Sequence, residues 1–203
     1  MNILLLGATG RTGRRVLDRA LSRHHGVTAI VRQPRTIRAH GRASIIVGDP
    51  LHAEVLVQAL ADQDAVISCL GQRSGGDGNL LRVAAAAMLE AMARARVRRC
   101  IVVSQGLLFP SRNPIVALLR LILARHVADS AAMERLVDAS DLDWTIVRPP
   151  KLNEGKSPRG YRIAVDAAPR GAWAMQYDDL ATFLLDEAEN GTHGRQIVGI
   201  VSA

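Results

Sequence analysis

The stretch Asn2-Ile3-Leu4-Leu5-Leu6-Gly7-Ala8-Thr9-Gly10-Arg11-Thr12-Gly13 decides the fold. Its first five residues are an apolar run short enough to be a strand buried on both faces. Three glycines follow at intervals of three, and then the pattern of a helix begins at Arg11. A glycine turn between a strand and a helix lets the backbone approach a pyrophosphate closely. The helix start also offers unpaired N–H groups and a positive dipole end to the anion. The alternative is a plain glycine turn. The position of the motif at the head of an alternating strand–helix chain favours the dinucleotide reading.

Outward from that turn, short apolar runs read as further buried strands at Val27–Val31, Ser44–Val47, Ala65–Cys69, Cys100–Val103 and Trp144–Val147. Helical patterns separate them, at Arg11–His24, Leu51–Ala61, Leu80–Ala95 and, as one long helix, Pro114–Ala139. Asn79 stands where it could cap the third helix, and Pro50 is read as the first helical residue after Asp49. Strand and helix alternate from the start, which predicts an α/β fold: a Rossmann-type, doubly wound parallel sheet with right-handed crossovers. Beyond Pro150 the sequence predicts a polar loop over Lys151–Gly160, a strand at Tyr161–Val165, a helix from Asp178 or Asp179 to about Asn190, and a last strand at Gln196–Val201. Residues 1–203 are read as one domain, with 151–203 as a small portion partly covering the substrate crevice. Ligands in such sheets bind beyond the carboxyl ends of the strands, so the loops after Leu6, Val31, Val47, Cys69, Val103 and Val147 should share one crevice.

The end of the second strand bears on which dinucleotide is bound. An acidic residue there would hold a ribose 2′-hydroxyl and repel a 2′-phosphate. This chain has Val31-Arg32-Gln33-Pro34-Arg35 instead. Arg32 can make charge-assisted bonds to a 2′-phosphate, and Arg11 could reach the same group. The competing reading is a solvated strand-end charge. NADP is therefore the expected cofactor.

Composition narrows the classes. The chain has 203 residues, 48% of them hydrophobic, and a formal charge of +7. Nearly all the basic residues are arginine; the lysines are Lys151 and Lys156. The arginines are scattered and aromatics make up only 3% of the chain, unlike the basic stripes interleaved with aromatics of nucleic-acid binders. The charge fits anionic small molecules better than nucleic acid. Cys69 and Cys100 lie at the edges of apolar runs and read as packing residues. The histidines show no metal-ligand spacing, so no metal is expected. The apolar stretch around Ile115–Ala124 is too short to span a bilayer, and Met1–Leu6 does not look like a signal peptide. A cytoplasmic setting with no membrane partner is expected.

Taken together, Gly7–Gly13, Val31-Arg32, Gly48-Asp49, Asp64–Gly71 with Arg73, Val103-Ser104, Asp143–Pro150 and Tyr177–Leu185 resemble the atypical short-chain dehydrogenase/reductase group with an NAD(P)H-binding domain. Within it the sequence is similar to the biliverdin reductase B/flavin reductase branch and to NmrA-like proteins. The resemblance implies that Gly7, Thr9, Gly10, Arg11, Thr12 and Gly13 surround the pyrophosphate and that Arg32, with Arg35, holds the 2′-phosphate. It puts Asp49 and Pro50 along the adenine, and Leu70, Gly71 and Arg73 along the ribose. Ser104, Pro149, Lys151 and Leu152 fall beside the nicotinamide, with Ser104 and Lys151 as the candidate catalytic residues.

Two departures shape the expected chemistry. Many short-chain reductases pair a Tyr with a Lys four residues on, the Lys lowering the phenol's pKa so that it can protonate the substrate. Neither Tyr161 nor Tyr177 has that lysine, and Lys151 stands where the biliverdin/flavin branch has a histidine. Acceptors that spread negative charge over a conjugated system can be protonated later by water. A flavin, a quinone or a linear tetrapyrrole, anionic forms included, is thus expected over a simple ketone, with NADPH as hydride donor and the protein a monomer or dimer. The alternatives are a non-catalytic NADP-binding sensor of the NmrA-like type and an epimerase acting on a nucleotide-linked sugar. Ser104 could equally be a turn serine and Lys151 an exposed loop lysine. His126, Asp129 and Glu134 are read as structural.

Overall fold

The computed structural model describes residues 1–33, 42–71, 78–155, 160–171 and 174–203. Arg35 and Arg73 lie outside these described residues. The six apolar runs form strands β1 (Asn2–Leu6), β2 (Gly26–Val31), β3 (Ala43–Val47), β4 (Ala65–Ser68), β5 (Arg99–Val103) and β6 (Asp143–Arg148). They stand in the order β3-β2-β1-β4-β5-β6, all parallel. Their runs are continuous because both faces are covered: Ile3, Leu4, Leu5 and Leu6 are all fully buried.

Helices α2 (Ala53–Ala59), α3 (Leu80–Ala95) and α5 (Ala124–Asp138) cover one face, with Leu56, Met88 and Met133 in a single apolar cluster. Helices α1 (Arg11–Ser22) and α6 (Tyr177–Asn190) cover the other through Val16, Leu17 and Leu184. A ladder of ions joins these two along their exposed edges. Arg15 and Arg19 meet Asp178, and Arg23 meets Asp186 and Glu189.

The C-terminal portion contributes to the main sheet itself. Strand β10 (Gln196–Ser202) runs parallel beside β6, and β8 (Tyr161–Val165) closes the edge antiparallel to β10. The sheet is thus mostly parallel with one antiparallel edge. Two short strands escape the sequence reading: β7 (Lys151–Asn153) pairs with β9 (Ala174–Gln176). The expected loop after Pro150 therefore begins as a strand, because its backbone finds a partner far along the chain.

Two helix boundaries and one cap also differ from expectation, each for a tertiary or side-chain reason. Helix α2 starts at Ala53 and not at Pro50: the Asp49 carboxylate accepts the Leu51 N–H at 3.1 Å, which holds Pro50 and Leu51 in a turn. The helix expected over Pro114–Ala139 breaks at Leu123 (φ −101°, ψ 23°) into α4 (Pro114–Ile122) and α5. There, Arg120 donates to the carbonyls of Leu107 and Phe109 and so ties α4 to the short 3-10 turn Gly106–Leu108. Finally, the Asn79 side chain does not cap α3. Asp129, reaching from α5, accepts the N–H groups of Leu81 and Arg82, both at 2.9 Å.

A buried carboxylate on two helix-start N–H groups satisfies orphan donors and opposes the positive dipole end. Asp129→Ala is therefore expected to destabilise the fold by about 2 kcal/mol, with Asp129→Asn recovering part of the loss. Urea unfolding of the three proteins would check this; equal midpoints would contradict it.

Candidate active-site crevice

The glycine turn is shaped by close approach. Gly7 has φ +79°, and a Cβ there would lie 2.6 Å from the Cys69 carbonyl oxygen at the end of β4. A Cβ on Gly13 would come within 2.1 Å of the Gly7 carbonyl oxygen, so only glycine lets α1 pack this tightly against β1. Gly10 donates its N–H to the Gly7 carbonyl at 2.9 Å and occupies the N-cap of α1, where no side chain caps the helix. These are the features of a backbone cradle for an anion.

Beside the cradle, a crevice opens at the carboxyl ends of the strands. The structure brings together there Gly7 and Thr9 from the turn, Arg32 after β2, Asp49 and Pro50 after β3, and Leu70 and Gly71 after β4. Leu51 and Leu80, which the sequence did not single out, also line it. Gly10, Arg11, Thr12 and Gly13 lie next to it, in the turn and first helical residues of α1. Arg32 is exposed and makes no ion pair with any described residue.

A second group gathers past β5 and β6. Ser104 donates its N–H to the Val147 carbonyl at 2.7 Å, and Gly106 donates to the Pro149 carbonyl at 2.7 Å. This joins the two loops and places Ser104 near Pro149. The Ser104 hydroxyl is buried and has no hydrogen-bond partner among the described residues, a reserve of bonding capacity that a buried polar atom seldom leaves unused. Lys151 is exposed on β7 and Leu152 lies beside it, half-buried. Gln176, at the end of β9, was not expected: it is buried and its Oε1 also lacks a partner among the described residues.

Other ionisable groups are engaged in the fold. Desolvation pushes the thiols of Cys69 and Cys100 up to about 12, which keeps both protonated and weakly nucleophilic at neutral pH. The Tyr161 hydroxyl donates to Asp186 at 2.6 Å, and burial together with that carboxylate raises its pKa well above the usual phenol value. The Tyr177 ring lies under the guanidinium groups of Arg11 and Arg15. Glu134 pairs with Arg148, and the backbone carbonyl of His126 accepts from Gln105. Among the described residues no three His, Cys, Asp or Glu side chains converge as a metal site, and no helix is long and apolar enough to cross a membrane.

A nicotinamide dinucleotide fits this arrangement. The glycine cradle would hold a diphosphate, the apolar walls at Leu51, Leu70 and Leu80 suit a base, and Arg32 offers a cation that pairs with no described residue.

Known proteins share parts of this sequence and this fold. The chain is 31% identical to the uncharacterised sugar epimerase YhfK of Bacillus subtilis (strain 168), over 73% of this chain and 71% of YhfK. It is 26% identical to the chloroplastic divinyl chlorophyllide a 8-vinyl-reductase of Cucumis sativus, over 91% of this chain and only 49% of that protein. The crystal structure of SP1627, a candidate NADH-flavin reductase from Streptococcus pneumoniae TIGR4, superposes with a TM-score of 0.83 at 25% identity, each chain covered in full. The profile of the NAD(P)H-binding family matches residues 7–191, and the chain belongs to that family.

Proposed function

We propose that the protein is an NADPH-dependent reductase of a conjugated small-molecule acceptor: a flavin, a quinone or a linear tetrapyrrole. The observation that carries the cofactor choice is Arg32, a cation that pairs with no described residue and lines the crevice at the end of β2, where an NAD-selective site would usually carry a carboxylate. When bound, the nicotinamide supplies the hydride. The glycine cradle and the start of α1 hold the diphosphate, Arg32 the 2′-phosphate, and Asp49 with Pro50 the adenine side.

At the far end, the unpartnered Ser104 hydroxyl is suited to orienting a carboxamide or an acceptor carbonyl. Lys151 supplies a positive charge that attracts an anionic acceptor. No tuned acid is required of these residues, since a conjugated acceptor can take its proton from water. The reductase names carried by SP1627 and by the vinyl-reductase support this reading; the name of YhfK points to sugar epimerisation instead.

The test is NADPH oxidation, followed by absorbance, with FMN, a quinone and biliverdin offered in turn. Turnover with one of them, at least about tenfold faster with NADPH than with NADH, is expected. Tight NADPH binding with no turnover would replace this reading by that of an NADP-binding sensor. Tight binding of a nucleotide sugar would point to an epimerase.

A further inference from the structure

Helix α4 buries none of its nine residues. Ile115, Leu118, Leu119 and Ile122 recur at the i, i+3, i+4 and i+7 spacing of one helix face. With Leu121 and Leu123 they are between 36% and 74% exposed. Arg120 lies on the opposite side, and its two bonds to the Leu107 and Phe109 carbonyls fix the helix to the body with this stripe outward. An exposed apolar stripe of this kind marks an interaction surface.

The charge around it identifies the partner. From Ala91 to Ala128 the sequence contains no acidic residue, and Asp129 beyond is buried. Arg112 and Arg125 flank the helix, both exposed and neither ion-paired among the described residues. An apolar helix face rimmed by free arginines, on a chain of net charge +7, has the make-up of a helix that lies in the plane of an anionic membrane surface. A second copy of the chain fits less well. Five large side chains on one short helix, with Leu123 just beyond it, fall far short of the roughly 20–30 residues per partner of a stable interface, and pairing like faces would bring the arginines of both copies together.

We infer that α4 docks the protein peripherally on an anionic lipid bilayer. At about 13 Å in length, α4 cannot cross a hydrocarbon core of about 30 Å; it lies in the headgroup zone, with its apolar stripe toward the acyl chains. This revises the expectation of no membrane partner without adding a spanning segment. It does not depend on the redox reading, and its test involves no turnover.

The full chain is sedimented with vesicles of phosphatidylcholine alone, or mixed with phosphatidylglycerol. Binding to the mixed vesicles, absent with phosphatidylcholine alone and much reduced at about 0.5 M salt, is expected. The double variant Leu118→Glu, Ile122→Glu should bind at least about tenfold less. Arg112→Gln and Arg125→Gln should each lose about fivefold; these two variants leave the apolar face intact and keep the test valid if the double variant folds poorly. Failure of the wild type to pellet with the mixed vesicles would overturn the proposal, as would undiminished binding by the variants. So would sedimentation velocity showing a dimer that Leu118→Glu dissolves, since a second copy would then occupy the face.

Discussion

Replacing Arg32 by Asp is expected to weaken NADPH binding by about 100-fold while leaving NADH within a few-fold of its original affinity. The variant removes charge-assisted hydrogen bonds to the 2′-phosphate and puts a repelling carboxylate in their place. Together these are worth about 3 kcal/mol. NADH carries a 2′-hydroxyl there, and an aspartate can accept its hydrogen bond. Because Arg32 is exposed and pairs with no described residue, the substitution should leave the fold intact. Fluorescence titration with each cofactor reads the ratio directly. An equal loss of both affinities would remove Arg32 from the 2′-phosphate and end the NADP assignment.

Glu187→Ala is expected to have the largest effect on stability, a loss of about 3–5 kcal/mol and a fall in Tm of roughly 10 °C. Glu187, on α6, is 2% exposed and accepts from Arg99 at 2.7 Å and from both the backbone N–H and Nδ1 of His193 at 2.7 Å. Thr145 completes the network by accepting from Arg99 at 2.9 Å. Removal of the carboxylate leaves the buried guanidinium, among the described residues, only the longer ionic contact with the half-exposed Asp143 at 3.5 Å, and a buried charge so poorly compensated costs far more than the ion pair itself was worth. The network sits at the start of β5, at the opposite end of the strands from the glycine cradle. Thermal unfolding followed by circular dichroism should therefore show the loss, while NADPH affinity of the folded protein stays unchanged. A loss below about 1 kcal/mol, the range of exposed pairs, would mean that the pair contributes no more than a surface salt bridge.

How far the sequence carries depends on whether each signal is local. Six strands of the parallel sheet were legible within a residue or so, because a strand covered on both faces must be apolar throughout and its flanking helices punctuate it. The glycine turn was legible for the same reason: Gly7, Gly10 and Gly13 satisfy constraints set by their immediate neighbours in the strand–turn–helix unit. What escaped was set by distant partners. Lys151-Leu152-Asn153 has no strand pattern, and it becomes one only by pairing with Ala174–Gln176.

The same holds for the helices and the site. The side-chain cap of α3 comes from Asp129, 48 positions away from Leu81, so Asn79 holds the N-cap position while its own side chain makes no capping bond. The break at Leu123 has neither Pro nor Gly to announce it, and follows from the bonds Arg120 makes to another loop. Within the crevice, the residues after β1 to β4 were foreseen, whereas Leu51 and Leu80 were not, because their place there depends on where α2 and α3 begin. The orphaned Oε1 of Gln176 could not be foreseen, since nothing beside it in sequence shows that it is buried without a partner.

The place of β10 between β6 and β8 has a consequence for how the chain acquires its shape during synthesis. β8 leaves the ribosome before β10, yet among the described residues it pairs in the main sheet only with β10. Until β10 arrives, β6 presents an open edge and β8 has no main-sheet neighbour. Unpaired strand edges are the surfaces through which nascent chains associate wrongly. The interval between β8 and β10 is thus the window in which a chaperone would have most to protect, and substitutions that delay β10 should lower the yield of folded protein more than they lower the stability of the molecules that succeed.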